Sequence, residues 1–324
     1  MDPASGPGRL SIAQQALRWL TRLALAGLVL ASVAAWLAPL GWPFELFVHF
    51  RLQLAVAAVL LVPMLWLAQS RVGALMAAAI AALHGLPEAH GLRAAPPVPT
   101  CAGTTLDVVA ANVEFTNHDP SRLLDWVAKR SPDVVVLEEV TPSWTAALSH
   151  VDGYPYVHVL PRNDPYGIAL LSRWPLASFA TVDLAGDGLA SLSVVVQVSG
   201  QSVQLYGLHT RWPVLPALAR LRDRSFLALA ASVRAQRLPT VVVGDLNVTA
   251  DSPAFARLLA QSGLQDAYAG RGWQPTWSAD FWPLALRIDH ALVSPSMCVE
   301  QAQVGPDIGS DHRPIAVRLR LPTG

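Results

Sequence analysis

Carboxylates, amides and imidazoles gather at the ends of short apolar runs in six places along this 324-residue chain. These are Ala111-Asn112-Val113-Glu114, Leu137-Glu138-Glu139-Val140, Gly207-Leu208-His209-Thr210, Val243-Gly244-Asp245-Leu246-Asn247, Arg287-Ile288-Asp289-His290 and Gly309-Ser310-Asp311-His312-Arg313-Pro314. Taken alone, an Asp or His after a strand is most often a turn, cap or packing residue. Six such endings in one region, where an α/β sheet builds its site, have a chemical meaning. Hard oxygen donors suit Mg²⁺ or Mn²⁺, which keep several waters and bind through one or two carboxylates plus substrate phosphate oxygens. Zinc would favour closer clusters of His and Cys, and only two cysteines are present. Hydrolysis of a phosphate ester needs charge neutralisation on the phosphoryl oxygens, an oriented water and a proton for the leaving oxygen. Carboxylate, amide and imidazole meet those three needs.

Positioning such groups requires a sheet. Residues 106–111, 134–137, 168–171, 192–198, 203–208, 240–243, 288–293 and 315–319 read as short β-branched strands. Helices fit 120–129, 142–149, 215–235 and 253–261, several opened by Ser, Thr or Asp followed by Pro. The alternation predicts one α/β domain with a two-layered sheet.

The runs GDLN (Gly244 to Asn247), SDHRP (Ser310 to Pro314), RIDH (Arg287 to His290) and LEEV (Leu137 to Val140), with the early Asn112, resemble the endonuclease/exonuclease/phosphatase superfamily in order and approximate spacing over residues 105–320. The resemblance implies a four-layer α/β sandwich, two packed mixed sheets flanked by helices, and a divalent-metal-dependent phosphoesterase. It makes Glu139 the principal metal ligand, with Asn112 beside it and Asp311 as a further ligand. Asp245 would orient or deprotonate the attacking water, Asn247 would hold a phosphate oxygen or the nucleophile, and Asp289 would orient His312. His209 takes the place of a second catalytic histidine, a general acid in the deoxyribonuclease and sphingomyelinase branches. Glu114 falls where some branches have a supporting acid. The family usually has Gln at the position of Glu138; the extra carboxylate tightens a metal site, repels phosphate or points elsewhere. His290 reads as structural. Asp164, in an Asn-Asp-Pro turn, either supports His209 or only closes the turn.

The rest of the chain is unlike this region. Overall, 52% of residues are hydrophobic and 14% charged, with mean hydropathy +0.37, so part of the chain belongs in lipid. Residues 1–100 hold six arginines against three carboxylates, and the remainder holds 17 basic against 20 acidic residues. That balance excludes disorder and a polybasic nucleic-acid arm. Apolar runs at 23–40, 52–68 and 72–86, the last short and interrupted by His84, predict a membrane anchor over 1–92 with about three spans, or two if the last does not cross. Arg9, Arg18 and Arg22 favour a cytoplasmic N-terminus, so three spans would put the rest outside the cytoplasm. An apolar N-terminal third followed by such a domain resembles a bacterial membrane-anchored subgroup of the superfamily, which implies a bacterial inner membrane. A Pro-rich linker at 93–103 precedes the catalytic domain at 104–324. Cys101 and Cys298 form a disulfide or are two unrelated thiols.

For the substrate, nucleic acid or nucleotide is the first reading, a phospholipid or phosphoinositide head group the second, and a catalytically silent binding module the third. Trp273, Trp277 and Trp282 either touch a bilayer or pack at the sheet edges. The partners expected are a phosphate-ester substrate and the bilayer; no protein partner is inferred.

Overall fold

The computed structural model describes residues 11–91 and 102–322, the side chains of 87–91 excepted. The chain splits into two compact units, Met1–His90 and Gly91–Gly324. Most of the connector expected at 93–103 lies outside the described residues.

In the first unit, α1 (Ile12–Trp36) is followed by the short α2 (Glu45–Val48), then α3 (Arg51–Leu67) and α4 (Arg71–Gly91). Ser11 caps α1: its hydroxyl accepts from the Gln14 N–H, and the Gln14 side chain accepts from the Ser11 N–H. The cap starts the helix eleven residues before the apolar run at 23–40, so Arg18 and Arg22 are helical, and the helix ends at Trp36 before a turn of 3₁₀ helix at Ala38–Leu40. Of the described helices, α1 alone is long and apolar enough to cross a membrane; α3 and the Arg71–Leu86 part of α4 are apolar but shorter. Leu28, Ala58, Leu61, Leu65, Ala74 and Ala77 pack inward. Leu20, Leu30, Trp36, Leu67 and Leu75 face outward and are exposed. These helices are thus apolar on both faces, with small residues between them.

The second unit runs β1 (Thr105–Asn112), α5 (Ser121–Arg130), β2 (Val134–Glu138), α6 (Pro142–Leu148), β3 (Tyr156–Leu160), β4 (Ile168–Ser172), β5 (Leu176–Val182), β6 (Ser191–Val198), β7 (Gln201–Gly207), α7 (Pro216–Arg234), β8 (Thr240–Asp245), α8 (Pro253–Ser262), β9 (Gln265–Asp266), β10 (Asp289–Val293), β11 (Cys298–Val304) and β12 (Ile315–Arg320). One sheet has the order β11-β12-β1-β2-β4-β3 and the other β5-β6-β7-β8-β10-β9. The pairs β1–β2 and β7–β8 are parallel; the other strand pairs are antiparallel.

Strand alternation builds the layers. In β1, Leu106, Val108 and Ala110 join Val194, Leu205, Val241 and Val243 between the sheets. Val109 and Ala111 face the other way, onto Leu123 and Val127 of α5 and Trp144 of α6. On the second sheet Tyr206 and Val242 turn outward against Phe226 and Leu229 of α7 and Phe255 and Leu258 of α8. Each buried Val or Leu contributes about 1.5–3 kcal/mol. The result is helix, sheet, sheet, helix: the four-layer α/β sandwich. Cys298, at the start of β11, is disulfide-bonded; Cys101, the one other cysteine of the chain, lies outside the described residues.

Candidate active site

The parallel pairs bring the carboxyl ends of β1, β2, β7 and β8 to one edge of the sandwich. Because β10 is antiparallel to β8, its first residue, Asp289, lies opposite Asp245. Because β12 is antiparallel to β1, the segment before it, Ser310 to Pro314, meets Asn112: the Ser310 hydroxyl donates to the Asn112 carbonyl at 2.9 Å and accepts from the His312 N–H at 3.0 Å.

Asp245 is the hub. It is 2% exposed, and its Oδ2 receives the Asn112 amide N–H at 3.3 Å and lies 3.6 Å from His209 Nε2 and 3.7 Å from His312 Nε2. Its Oδ1 accepts from the Asn247 N–H at 2.8 Å. The preceding residue must be glycine: Gly244 has φ +132°, and a Cβ there would meet the Leu208 carbonyl oxygen at 2.1 Å. Glu139 Oε1 accepts from the Asn112 side chain at 2.9 Å and lies 3.9 Å from His209 Nε2; its Oε2 accepts from the Phe115 N–H at 2.9 Å. Asn247 is pinned through its side-chain amide to the Thr210 carbonyl at 2.9 Å. Glu114, Glu139 and Asn247 all have left-handed backbone, at φ +61°, +63° and +50°. Non-glycine residues hold that conformation where the surroundings enforce it, often at functional sites.

The two histidines differ in charge. His312 Nδ1 bonds Asp289 Oδ2 at 2.9 Å. Burial disfavours the imidazolium, but the Asp289 and Asp245 carboxylates outweigh it and raise His312 to about 10. The same contact holds Asp289 below the usual carboxylate range despite its burial. His209 is lowered to about 4, by burial and then by the charge on His312. It is therefore neutral at pH 7, so the general-acid role implied for it would start from an imidazole that carries no extra proton. Asp245 and Glu139 are raised, chiefly by burial.

Asp311 is half-buried; its carboxylate accepts from the Trp277 indole N–H at 2.9 Å, and its N–H donates to Glu114 Oε2 at 3.0 Å. Glu114 thus ties the loop after β1 to the loop before β12. Glu138 is fully buried between the sheets, with both oxygens unpartnered among the described residues, and burial with the Asp289 and Asp245 charges raises it well above the usual carboxylate range. Asp164 pairs with Arg162 at 2.6 Å and caps the Tyr166 N–H, so it closes its turn. His290 Nε2 bonds the Val248 carbonyl at 2.7 Å and its ring packs on Phe255, away from Asp289. Two contributors carry no local sequence signal. Thr276 Oγ1 accepts from the Asp289 N–H at 3.3 Å, and Tyr166 stands with its ring 5.2 Å from His209, under Arg211.

The donor set fits a hard divalent cation. Glu138, Glu139, Asp245 and Asp289 are gathered around one imidazolium, and burial raises three of them because too little positive charge is nearby. The ligand atoms of Asp245, Asp289 and His312 lie within 4.8 Å of one another. Asp289 and His312 already satisfy each other, which leaves Glu139, Asp245 and the nearby Asp311 as the oxygens best placed to share a cation. The Asn112 side chain turns its N–H toward Glu139 and its oxygen toward the Glu114 N–H, so here it acts as a donor between carboxylates.

A two-sheet sandwich with acids and imidazoles at its shared edge defines a phosphoesterase-like α/β class. The sequence model of the Endonuclease/Exonuclease/phosphatase family matches residues 109–312, and the chain belongs to that family. Among solved structures, a family protein from Beutenbergia cavernae is 22% identical, with a TM-score of 0.57 over 68% of this chain and 72% of that one. TDP2 of D. rerio complexed with a single-strand DNA product is 18% identical, TM-score 0.57, over 67% and 99%. The human Nocturnin catalytic domain with bound sulfate is 18% identical, TM-score 0.53, over 66% and 94%. These likenesses are of fold. No curated protein matches the chain.

Proposed function

We propose that this chain is a membrane-anchored, divalent-metal-dependent phosphoesterase that hydrolyses phosphodiester bonds. The observation that carries this reading is the convergence of Asn112, His209 and His312 on Asp245 Oδ2, with one imidazole charged and the other neutral. Asp245, made basic by burial, orients an attacking water and takes its proton. His312, held as imidazolium by Asp289, stabilises the charge that gathers on the phosphoryl oxygens. Asn247, fixed at two points, positions a phosphate oxygen or the nucleophile. His209 supplies a neutral N–H or a base beside Glu139. A bound Mg²⁺ or Mn²⁺, held by Glu139 with Asp311 and Asp245, would neutralise phosphate charge and lower the pKa of a bound water.

The test uses the full chain in detergent with bis-p-nitrophenyl phosphate. Hydrolysis should depend on added Mg²⁺ or Mn²⁺, fall by at least about 10²-fold in EDTA and return when metal is restored. Turnover unaffected by chelation would overturn the metal-dependent reading.

Two substrate readings have separate support. A similar fold is seen with a single-strand DNA product in D. rerio TDP2, which favours nucleic acid or nucleotide. Trp212, Phe281 and Trp282 are exposed in loops that flank the site, which favours a lipid head group. One panel of single-stranded DNA, duplex DNA, RNA, sphingomyelin and inositol phosphates under one metal condition separates them. The anchor reading rests on α1 and on Arg9, Arg18 and Arg22. Three spans, α1, α3 and α4, would put the catalytic unit outside the cytoplasm. A reporter fused after residue 324 that is active only in the cytoplasm would refute that.

A further inference from the structure

A polar cavity of about 360 Å³ opens at the far end of β8 from Asp245. It lies between the end of α7, the turn into β8, the turn from α8 to β9 and the turn from β10 to β11. The six residues of β8 put it roughly 17 Å from the catalytic centre. Arg234, Gln236, Arg237, Ser262, Ser294 and Ser296 supply its polar lining, and no carboxylate lines it.

That lining gathers two positive charges with no acid to balance them. Of the sixteen arginines from Arg122 to Arg320, nine are paired with carboxylates and seven, Arg234 and Arg237 among them, are not, among the described residues. Arg234 makes one 3.3 Å bond, from Nη1 to the Gln261 carbonyl, which leaves its other N–H groups available. Arg237 has no hydrogen bond or ion pair among the described residues. Compensation of a helix dipole accounts for Arg234, which is in the last turn of α7. It does not account for Arg237, beyond the helix end. Two guanidinium groups with serine hydroxyls and no acid form a set that recognises a phosphate group, since each guanidinium offers a planar fork of donors.

We infer that this cavity is a second, non-catalytic binding site for a phosphate group, either the head group of an anionic phospholipid or a soluble phosphate ester. Its distance from Asp245 means that the phosphate held there is not the one cleaved. Both arginines are exposed, so their replacement leaves the core intact.

The experiment titrates inorganic phosphate into the full chain, in phosphatidylcholine nanodiscs and without divalent metal, by calorimetry. The parent should bind, and Arg234→Gln/Arg237→Gln should bind at least about tenfold more weakly while metal-dependent hydrolysis of bis-p-nitrophenyl phosphate stays within about twofold. The same titration on an Asp245→Ala chain should be unchanged. Equal affinity in the parent and the arginine variant, no binding by the parent, or loss of binding only in Asp245→Ala would each overturn the inference. Phosphatidylglycerol in the discs distinguishes the sources: a weaker apparent affinity for added phosphate identifies a lipid head group, and an unchanged one a soluble ester.

Discussion

The two sides of the site solve opposite electrostatic problems within a few ångströms. On the β10–β12 side a buried carboxylate, Asp289, faces a ring nitrogen at 2.9 Å and keeps His312 charged. On the β7 side His209 has comparable burial, but its nearest carboxylate oxygens are at 3.6 and 3.9 Å, and the charge on His312 acts against it. About one ångström of approach, together with the order in which charges accumulate, decides which imidazole holds the proton. A buried histidine is therefore not one kind of group; its nearest oxygen sets its role.

The strongest attack on this contrast removes the group both sides share. Asp245→Ala, and His312→Ala on the charged side, should each lower kcat/KM by about 10²–10³-fold; rates equal to the parent's would remove these residues from the mechanism. Asp289→Asn comes next, with a loss of about 10–10²-fold and a diagnostic pH profile. The carboxylate raises His312 to about 10, so the imidazolium is lost as pH rises through that value. Without the carboxylate it is lost at lower pH, and the alkaline limb of kcat/KM should move down by more than one unit. The stability linkage has the same sign: from about pH 6.5 to 10 the folded parent holds a proton that the unfolded chain has released, so its stability falls across that window. The variant's stability should fall less there, measured by urea unfolding.

On the neutral side, His209→Gln should cost about tenfold in kcat/KM, because an amide replaces the neutral N–H but not a base. A loss as large as that of His312→Ala would show that the sides do not differ. The smallest effect on rate should come from His290→Leu, within about threefold. That ring, lowered to about 4 by burial and then by the Arg287 charge, is a structural donor to Val248. Its removal leaves buried partners unsatisfied and should cost about 1–3 kcal/mol of stability.

The strands found by sequence pattern divide along a physical line. The eight interior strands, β1, β2, β4, β6, β7, β8, β10 and β12, carry the apolar runs that the pattern detects. The four edge strands, β3, β5, β9 and β11, carry no such run. Leu176–Val182 and Cys298–Val304 are partly exposed and polar in places, because an edge strand is covered less and often carries charge. Asp289 and His312 were legible because each lies within a short run at a strand start. Thr276 and Tyr166 reach the site from irregular loops, where neither period nor motif marks a residue as facing inward. The structure also separates neighbours in RIDH: Asp289 turns to the site and His290 to Phe255, as strand alternation requires.

The left-handed backbone at Glu139 sets stability against activity. Glycine adopts φ +63° without the cost of about 1 kcal/mol that a side chain incurs, and it would also remove a half-buried carboxyl that burial disfavours. Glu139→Gly sets that relief against the lost bonds from the Asn112 amide and the Phe115 N–H, so it should fold about as firmly as the parent while losing the carboxylate proposed to hold the metal. A library of this chain selected only for resistance to heat would accept such inactive sequences, so a screen for robust variants must demand turnover as well.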